Sequence, residues 1–321
     1  MSVGSGSATQ QGATLWLFLL VALFWGVNYP AVVLGLGYAP PLWLGFLRVV
    51  FGLGGSLLVL PLLERRMGRS ERLTSRGKGY ALLLGLPNSA LFFGLWMIAA
   101  PVVPAGQASL LVYTFPLWVL LLAYPILGDR PTLGQIGASA VGLAGVALVG
   151  FADVSSWSAG WTPVLELLGA AISWAVATVL MKRTFRQQEM LEANIWQLLG
   201  SAPVLLALAL FEAPFTSVHW TTELLLVLLW TGILGTAVAY GLWFELLSAH
   251  RAATVSAYLF IVPVVALVAG FLVLHQGLGV PQAIGVLAVL LSIYGTHRFA
   301  PDPAHPSSRL GGVGPAPRAG S

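Results

Sequence analysis

The chain has 321 residues, of which 58% are hydrophobic and only 8% are charged, and its mean hydropathy is +0.88. Soluble domains carry about a quarter of their residues as charged side chains, so this composition excludes an ordinary soluble protein and predicts an integral membrane protein. The net charge of +4 would suit a nucleic-acid partner. The basic residues lie at the ends of apolar runs, however, which argues against nucleic-acid binding.

Ten apolar runs follow one another along the chain, and a helix of about 20 residues crosses the hydrocarbon core of a bilayer. No basic segment precedes the first run, so we expect a retained span there and not a cleaved signal peptide. The predicted spans are Leu15–Gly37, Leu42–Leu63, Gly79–Ala99, Ala105–Leu127, Leu133–Phe151, Pro163–Met181, Leu191–Phe211, Leu224–Leu247, Ala252–Leu274 and Val280–Thr296.

The loop from Glu64 to Lys78 fixes the orientation, because it holds six of the fifteen basic residues and such loops stay cytoplasmic. With both termini on that side, fourteen of the fifteen fall in cytoplasmic segments. The fourteen are Arg65, Arg66, Arg69, Arg72, Arg76, Lys78, Arg130, Lys182, Arg183, Arg186, Arg251, Arg298, Arg309 and Arg318. We therefore predict an all-α polytopic membrane protein with ten transmembrane helices and both termini cytoplasmic.

The two halves of the chain resemble each other at a spacing of 147 to 149 residues. The matched positions are Phe93–Trp96 with Tyr240–Trp243, Pro116 with Pro263, Trp25 with Trp174, and Arg48 with Gln197. Each half has five predicted spans, an odd number, so the second copy is inverted relative to the first. Inverted repeats characterise secondary transporters, which bind substrate near the midplane between the halves. Some channels also arose by duplication, so the repeat favours transport without fixing its kind.

Several segments carry a family resemblance. LWLFLLVALFWGVNYPAVVLGL, LGFLRVV and ILGDRPTLGQIGASAVGLAGVAL resemble the first EamA domain of the drug/metabolite transporter superfamily. LLGAAISWAVATVLMKR and GLWFELLSAHRAATVSAYLFIVPVVALVAGFLVLHQ resemble the second. The resemblance implies two inverted five-helix repeats that export amino acids or other small metabolites from the bacterial inner membrane. It also implies a cavity lined by helices 1, 3, 4, 6, 8 and 9, with helices 5 and 10 at the periphery.

We accordingly divide the chain into four parts. They are a cytoplasmic N-terminal tail (1–14), a first EamA repeat (15–151), a second EamA repeat (163–299) and a disordered Pro/Gly/Ser-rich C-terminal tail (300–321). In the family an acidic residue usually follows spans four and nine. Asp129 preserves that charge here, while Gln276 removes it.

Arg48 is the one basic residue that falls inside a predicted span. It lies roughly 10 Å below the outer helix end, at 1.5 Å per residue. A charge at that depth costs about 2.5–3.5 kcal/mol even on insertion scales, and its guanidinium could bind a substrate carboxylate with two hydrogen bonds. The alternative is a structural arginine that extends outward or pairs with carbonyls freed by a proline.

Aromatic and polar side chains at helical spacing are the other cavity candidates, although the same residues could simply join helices. The predicted substrate-binding residues are Trp25, Asn28, Tyr29, Arg48, Asn88, Phe92, Trp96, Tyr113, Trp174, Thr178, Thr236, Tyr240, Trp243 and Tyr258. Glu245 is a candidate for proton coupling, with pairing to a base such as Arg251 as the alternative. Glu192, near a helix end, is expected to be solvated.

No catalytic or metal-binding motif stands out, and we expect no cofactor. The prediction is a multi-pass secondary transporter, not an enzyme, with a small-molecule substrate and the lipid bilayer as its partners. An integral-membrane enzyme acting on lipid-linked substrates and a channel remain alternatives. A homodimer is a further alternative, since the glycines of helix 5 (Gly134, Gly137, Gly142, Gly145) could pack within the bundle or against a second copy.

Overall fold

Ten apolar helices make up the part of the chain that the computed structural model describes, residues 5–67, 71–152, 160–275 and 279–299. We number them α1 (Ser5–Gly35), α2 (Pro41–Met67), α3 (Ser75–Ala99), α4 (Ala105–Leu127), α5 (Leu133–Ala152), α6 (Thr162–Thr184), α7 (Met190–Glu212), α8 (Thr222–Ala249), α9 (Ala252–Tyr258 and Ile261–Leu274) and α10 (Val280–Arg298). Two short 3₁₀ turns, Gln187–Glu189 and Phe215–Ser217, flank α7.

Each predicted span coincides with one of these helices, with boundaries that differ by a few residues at most ends. The exception is α1, which begins at Ser5 and so takes up most of the segment expected to be a tail. By length and composition, eight helices can cross a membrane. The other two, α5 and α10, carry shorter apolar stretches, Leu133–Gly145 and Ala283–Thr296. The predicted C-terminal tail and Gln276 lie outside the described residues.

The basic connections of the chain gather at one end of the bundle. The link after α2 contacts the link after α6, the end of α6 contacts the end of α8, and the link after α8 contacts the link after α4. The contacts are Glu71 N to Gln188 O (3.0 Å), Lys182 Nζ to the carbonyl of His250, and Arg251 Nε to Asp129 Oδ1 (3.3 Å). We call this the basic end of the bundle.

The first and last helices also reach the basic end. The ring of Phe18, in the N-terminal half of α1, lies 6.5 Å from the ring of His250. The hydroxyl of Thr132, just before α5, donates to the carbonyl of Phe299 at the end of α10 (2.8 Å). Whatever the orientation in the membrane, the start of α1 and the end of α10 therefore lie on the same side as the basic loops.

Helices α4 and α9 are both broken at repeat-related positions. The break in α4 lies at Tyr113, three residues before Pro116, and the break in α9 lies at Phe260, three residues before Pro263. A proline has no backbone N–H and pushes against the carbonyl one turn earlier, so the preceding turn tightens. Phe260 N, for example, donates to Ala257 O at 3.2 Å, three residues back.

Helices α3 and α8 contain π-helical segments, Leu86–Leu91 and Leu229–Val238, which also correspond under the repeat. Such widened turns release backbone carbonyls and are frequent at functional sites. Side chains from the other repeat donate hydrogen bonds to carbonyls of these segments. Trp25 Nε1 donates to Gly235 O (2.9 Å), and Ser173 Oγ donates to Pro87 O (2.6 Å). Each repeat is thus bonded to the irregular helix of the other at mid-depth.

Glycines allow a close crossing between α3 and α7. A Cβ on Gly85 would lie 2.1 Å from Gln197 O, and a Cβ on Gly200 would lie 2.2 Å from Leu82 O. The glycine-bearing face of α5 packs inside the bundle against α10, because a Cβ on Gly142 would meet Ser292 and one on Gly145 would meet Ala288. Gly142 and Gly145 therefore pack within one chain, whereas a Cβ on Gly137 would meet nothing within 4 Å.

Candidate functional site

A small cavity lies at the centre of the bundle, between the two repeats. It is lined by Trp25, Asn28, Tyr29, Arg48, Phe92, Trp96, Tyr113, Trp174 and Tyr240. All nine belong to the fourteen cavity residues expected from the sequence. The space between atoms amounts to about 240 Å³, but it is so narrow that it has room for only about one water molecule. Its side chains must move apart before a larger molecule can enter.

Arg48 is held within this cavity and does not extend towards the membrane surface, since its side chain is only 2% exposed. Its Nε donates to Thr236 Oγ1 at 3.2 Å, and its guanidinium carbon lies 4.2 Å from the ring centre of Phe93 and 4.9 Å from that of Trp96. Ring faces stabilise a desolvated cation by about 2 kcal/mol. The rings offer no hydrogen-bond acceptor, so the guanidinium of Arg48 is stabilised by the rings but is only partly hydrogen-bonded.

Three polar atoms of the cavity residues are buried without a hydrogen-bond partner among the described residues. They are Arg48 Nη1 and Trp174 Nε1, which are donors, and Asn28 Oδ1, which is an acceptor. A buried polar group left unpaired costs about 1–3 kcal/mol. A ligand that carries both a hydrogen-bond acceptor and a donor would satisfy such groups. None of the nine lining residues is acidic.

Trp25 and Trp174 occupy equivalent positions in the two repeats and touch each other across the cavity, with ring centres 5.1 Å apart in a T-shaped pair. Trp174 also stacks on Phe115, at 3.9 Å, and on Phe92, at 5.2 Å. Sequence reasoning missed Phe115. Its position directly after the break in α4 and one residue before Pro116 is the signal that could have found it.

The remaining predicted residues lie around the cavity and do not line it. Thr236 bonds Arg48 from behind, and the ring of Trp243 lies 5.8 Å from that of Trp25. Asn88 and Thr178 are buried. Tyr258 lies apart from the others, 4.4 Å from Phe18, near the basic end. The repeat explains this: the position that corresponds to Tyr113 at a spacing of 147 is Phe260, not Tyr258.

The sequence profile of the EamA-like transporter family matches residues 12–151 and 161–297, almost the whole described chain. The chain belongs to this family. It is 30% identical over 280 residues to the uncharacterized transporter YvbV of Bacillus subtilis, covering 87% of this chain and 90% of that protein. It is 25% identical over 286 residues to a probable amino-acid metabolite efflux pump of Escherichia coli, covering 87% of this chain and 92% of the pump.

A solved crystal structure shares the fold of this EamA protein, with a TM-score of 0.68 and 17% identity over 90% of this chain and 98% of the other. The family places the chain among transporters and not among enzymes. Within this EamA fold the cavity is lined by α1, α2, α3, α4, α6 and α8. The cavity lining therefore differs from the expected set of helices in two ways: α2 contributes Arg48, and none of the lining residues comes from α9.

None of the acidic residues that the structure describes lines the cavity of this EamA protein. Arg251 forms an ion pair with Asp129, the acidic residue that follows α4. Glu245 is half-buried near the end of α8. Glu192 corrects an expectation, because it is 7% exposed and not solvated. Its Oε2 accepts from the backbone N–H of Leu73 at 2.7 Å, which anchors the link before α3 to α7.

Proposed function

We propose that this EamA protein is a secondary transporter that exports small zwitterionic metabolites, amino acids foremost, from the cytoplasm by alternating access. In this proposal all ten helices cross the bacterial inner membrane, and the basic end with both termini faces the cytoplasm. Sidedness follows from the positive-inside bias, since basic links gather at one end. The named relative in Escherichia coli, a probable amino-acid metabolite efflux pump, supports the substrate class.

The observation that carries the proposal is the pairing of an unsatisfied donor and an unsatisfied acceptor in one cavity. Arg48 Nη1 would bind the carboxylate of an amino acid, as a charge-assisted hydrogen bond. Asn28 Oδ1 would accept from its ammonium group, and the ring faces of Trp25 and Trp174 would stabilise that cation. Because no lining residue is acidic, an amine without a carboxylate would leave two positive charges together in a buried site.

Alternating access is supported by where the helices are irregular. The breaks at Tyr113 and Phe260 and the two π-helical segments are repeat-related pairs, and Tyr113 lies in the cavity wall. Interrupted helices around a central site are typical of secondary transporters with inverted repeats. The narrow cavity fits an intermediate in which neither side is wide open. Glu245, on α8, is our candidate for proton coupling.

The test is counterflow in proteoliposomes that hold the purified full chain. Vesicles loaded with an unlabelled amino acid should accumulate the labelled one. Vesicles loaded with the matching decarboxylated amine, or with the acid that lacks the amino group, should not. Counterflow requires a carrier, so a channel would show none, and an enzyme would convert the compound chemically. Accumulation driven equally by the amine would refute the role assigned to the carboxylate.

Arg48→Gln is the sharpest variant in this assay, because the second repeat holds Gln197 at the equivalent buried position. The membrane interior of this fold therefore accommodates the amide. We expect Arg48→Gln to remain folded and to lose counterflow. Gln197→Ala is the matched control, since Gln197 bonds Asn194 at 2.8 Å and does not line the cavity. A variant Arg48→Gln that transports at the wild-type rate would show that Arg48 is structural.

A further inference from the structure

A second concave site lies on the outer surface of the bundle, between the C-terminal half of α4 and the facing side of α5. Its walls are almost entirely carbon and include Leu117, Trp118, Leu121, Ile136, Ala140 and Leu143. The groove holds about 820 Å³ of space between atoms. It shares no lining residue with the central cavity. Leu121, Ile136 and Leu143 are 63%, 47% and 43% exposed, so the groove opens to the surroundings of the bundle.

The groove has the depth of one leaflet. From Leu117 to the end of α4 at Leu127 the helix rises about 15 Å, at 1.5 Å per residue. The hydrocarbon core of a bilayer is about 30 Å thick, so half of it is also about 15 Å. One end of the groove thus lies near the middle of the membrane, and the other lies at the basic end of the bundle. An apolar furrow of this length matches a single acyl chain.

A positive charge stands at the basic end of the groove. Tyr124 lines the groove there, and the guanidinium of Arg130 lies over its ring at 5.9 Å. The neighbouring acid, Asp129, is engaged by Arg251. Arg251 Nη2 also donates to the backbone carbonyl of Arg130 at 3.3 Å. This hydrogen bond fixes the backbone of Arg130 at the end of the groove. The side chain of Arg130 makes no ion pair with a described residue.

We propose that this groove is a binding site for one anionic phospholipid, with an acyl chain between α4 and α5 and the phosphate on Arg130. Charge complementarity selects an anionic headgroup, because the exposed guanidinium of Arg130 lies over an aromatic ring, and the neighbouring acid, Asp129, pairs with Arg251 instead. A second copy of the chain is a poorer occupant. The small-residue face of α5, which lets helices approach closely, is already taken by α10. The proposal is independent of the transported substrate.

The experiment is native mass spectrometry of the purified full chain with phosphatidylglycerol and phosphatidylcholine that carry identical acyl chains. Wild type should retain one phosphatidylglycerol about fivefold more tightly, the factor expected for one basic residue facing an anionic headgroup. Arg130→Ala should abolish that preference, whereas Arg183→Ala, an exposed basic residue at the same end, should keep it. Ala140→Phe should fill the groove and weaken both lipids, whereas Val141→Phe on the neighbouring face of α5 should not.

A measurement inside the bilayer separates this site from general lipid contact. Phosphatidylglycerol with a brominated acyl chain should quench the fluorescence of Trp118, and the quenched fraction should fall in Trp118→Phe. In Arg130→Ala the excess quenching over brominated phosphatidylcholine should vanish. Equal retention of the two lipids by wild type would overturn the proposal. Loss of the preference for phosphatidylglycerol in Arg183→Ala would also overturn it. A third contrary result would be a wild-type dimer without bound lipid that dissociates in Ala140→Phe.

Discussion

Thr236→Val tests whether the orientation of Arg48 matters, because it changes one hydroxyl behind the cavity and nothing within it. Thr236 Oγ1 accepts from Arg48 Nε at 3.2 Å and donates to Thr231 O at 2.8 Å. Valine keeps the branched shape and the γ-methyl group that packs on Gly52. The substitution therefore removes two hydrogen bonds with little change in volume.

The magnitude follows from the charge of the donor. A hydrogen bond to a charged group contributes about 1.5–3 kcal/mol, and about 1.4 kcal/mol corresponds to a factor of ten. If the bond to Thr236 sets the direction of the guanidinium, the KM for counterflow should rise about tenfold to a hundredfold in Thr236→Val. Vmax should change less, since the residue contacts no substrate. Thr236→Ser restores the hydroxyl and should restore the KM.

Thr231→Val is the matched control on the same π-helical segment. It removes the hydrogen bond from Thr231 Oγ1 to Val227 O, of 2.8 Å, and leaves the side-chain contact of Arg48 untouched. Thermal unfolding in detergent should show that both valine variants fold, with the larger loss of stability in Thr236→Val because it removes two hydrogen bonds, and only Thr236→Val should raise the KM. A normal KM in Thr236→Val, or an equal rise in Thr231→Val, would refute the positioning role.

Three further predictions concern stability and are checked by thermal unfolding of the purified chain. Gly200→Ala should lower the free energy of unfolding by about 1–3 kcal/mol, because the new Cβ would lie 2.2 Å from Leu82 O. Gly137→Ala should be tolerated, because a Cβ there meets nothing within 4 Å. Glu212→Ala should cost about 0.5–2 kcal/mol, since the Glu212 carboxylate accepts from the backbone N–H of Leu42 in the first turn of α2 at 2.8 Å. Asp129→Asn should cost about 0.2–1 kcal/mol, because its pair with Arg251 is partly exposed.

Much of the architecture could be predicted because a bilayer leaves few choices. A backbone in hydrocarbon must satisfy its hydrogen bonds within each segment, so a long apolar run becomes a helix. Each predicted span therefore coincides with a helix. The cavity could be predicted for a second reason, since the repeat marks equivalent positions. Trp25 and Trp174, matched in the sequence, meet across the centre of the bundle.

What the sequence could not show was which polar side chains join distant segments. Glu192 and Glu212 resemble exposed residues at helix ends, but each accepts from a backbone N–H of the first repeat: Leu73 in one case and Leu42 in the other. Such pairings depend on which helices become neighbours, and helical spacing within one segment carries no information about that. Tyr258 lies outside the cavity lining and against Phe18, a neighbour on α1 that helical spacing within α9 does not indicate.

The two repeats contribute different side chains to the cavity at equivalent positions. The two EamA copies supply matching π-helical segments, and in the proposed inverted arrangement such a frame would open towards either side with similar contacts. A symmetric site, however, would recognise the two ends of a substrate alike. Here Arg48 corresponds to the uncharged Gln197 in the repeat, and Asn28 corresponds to Ala177, so the charge and the amide that line the cavity come from the first repeat only. A zwitterion has unlike ends, and in the proposed site that inequality would fix its orientation while the symmetric frame moves around it.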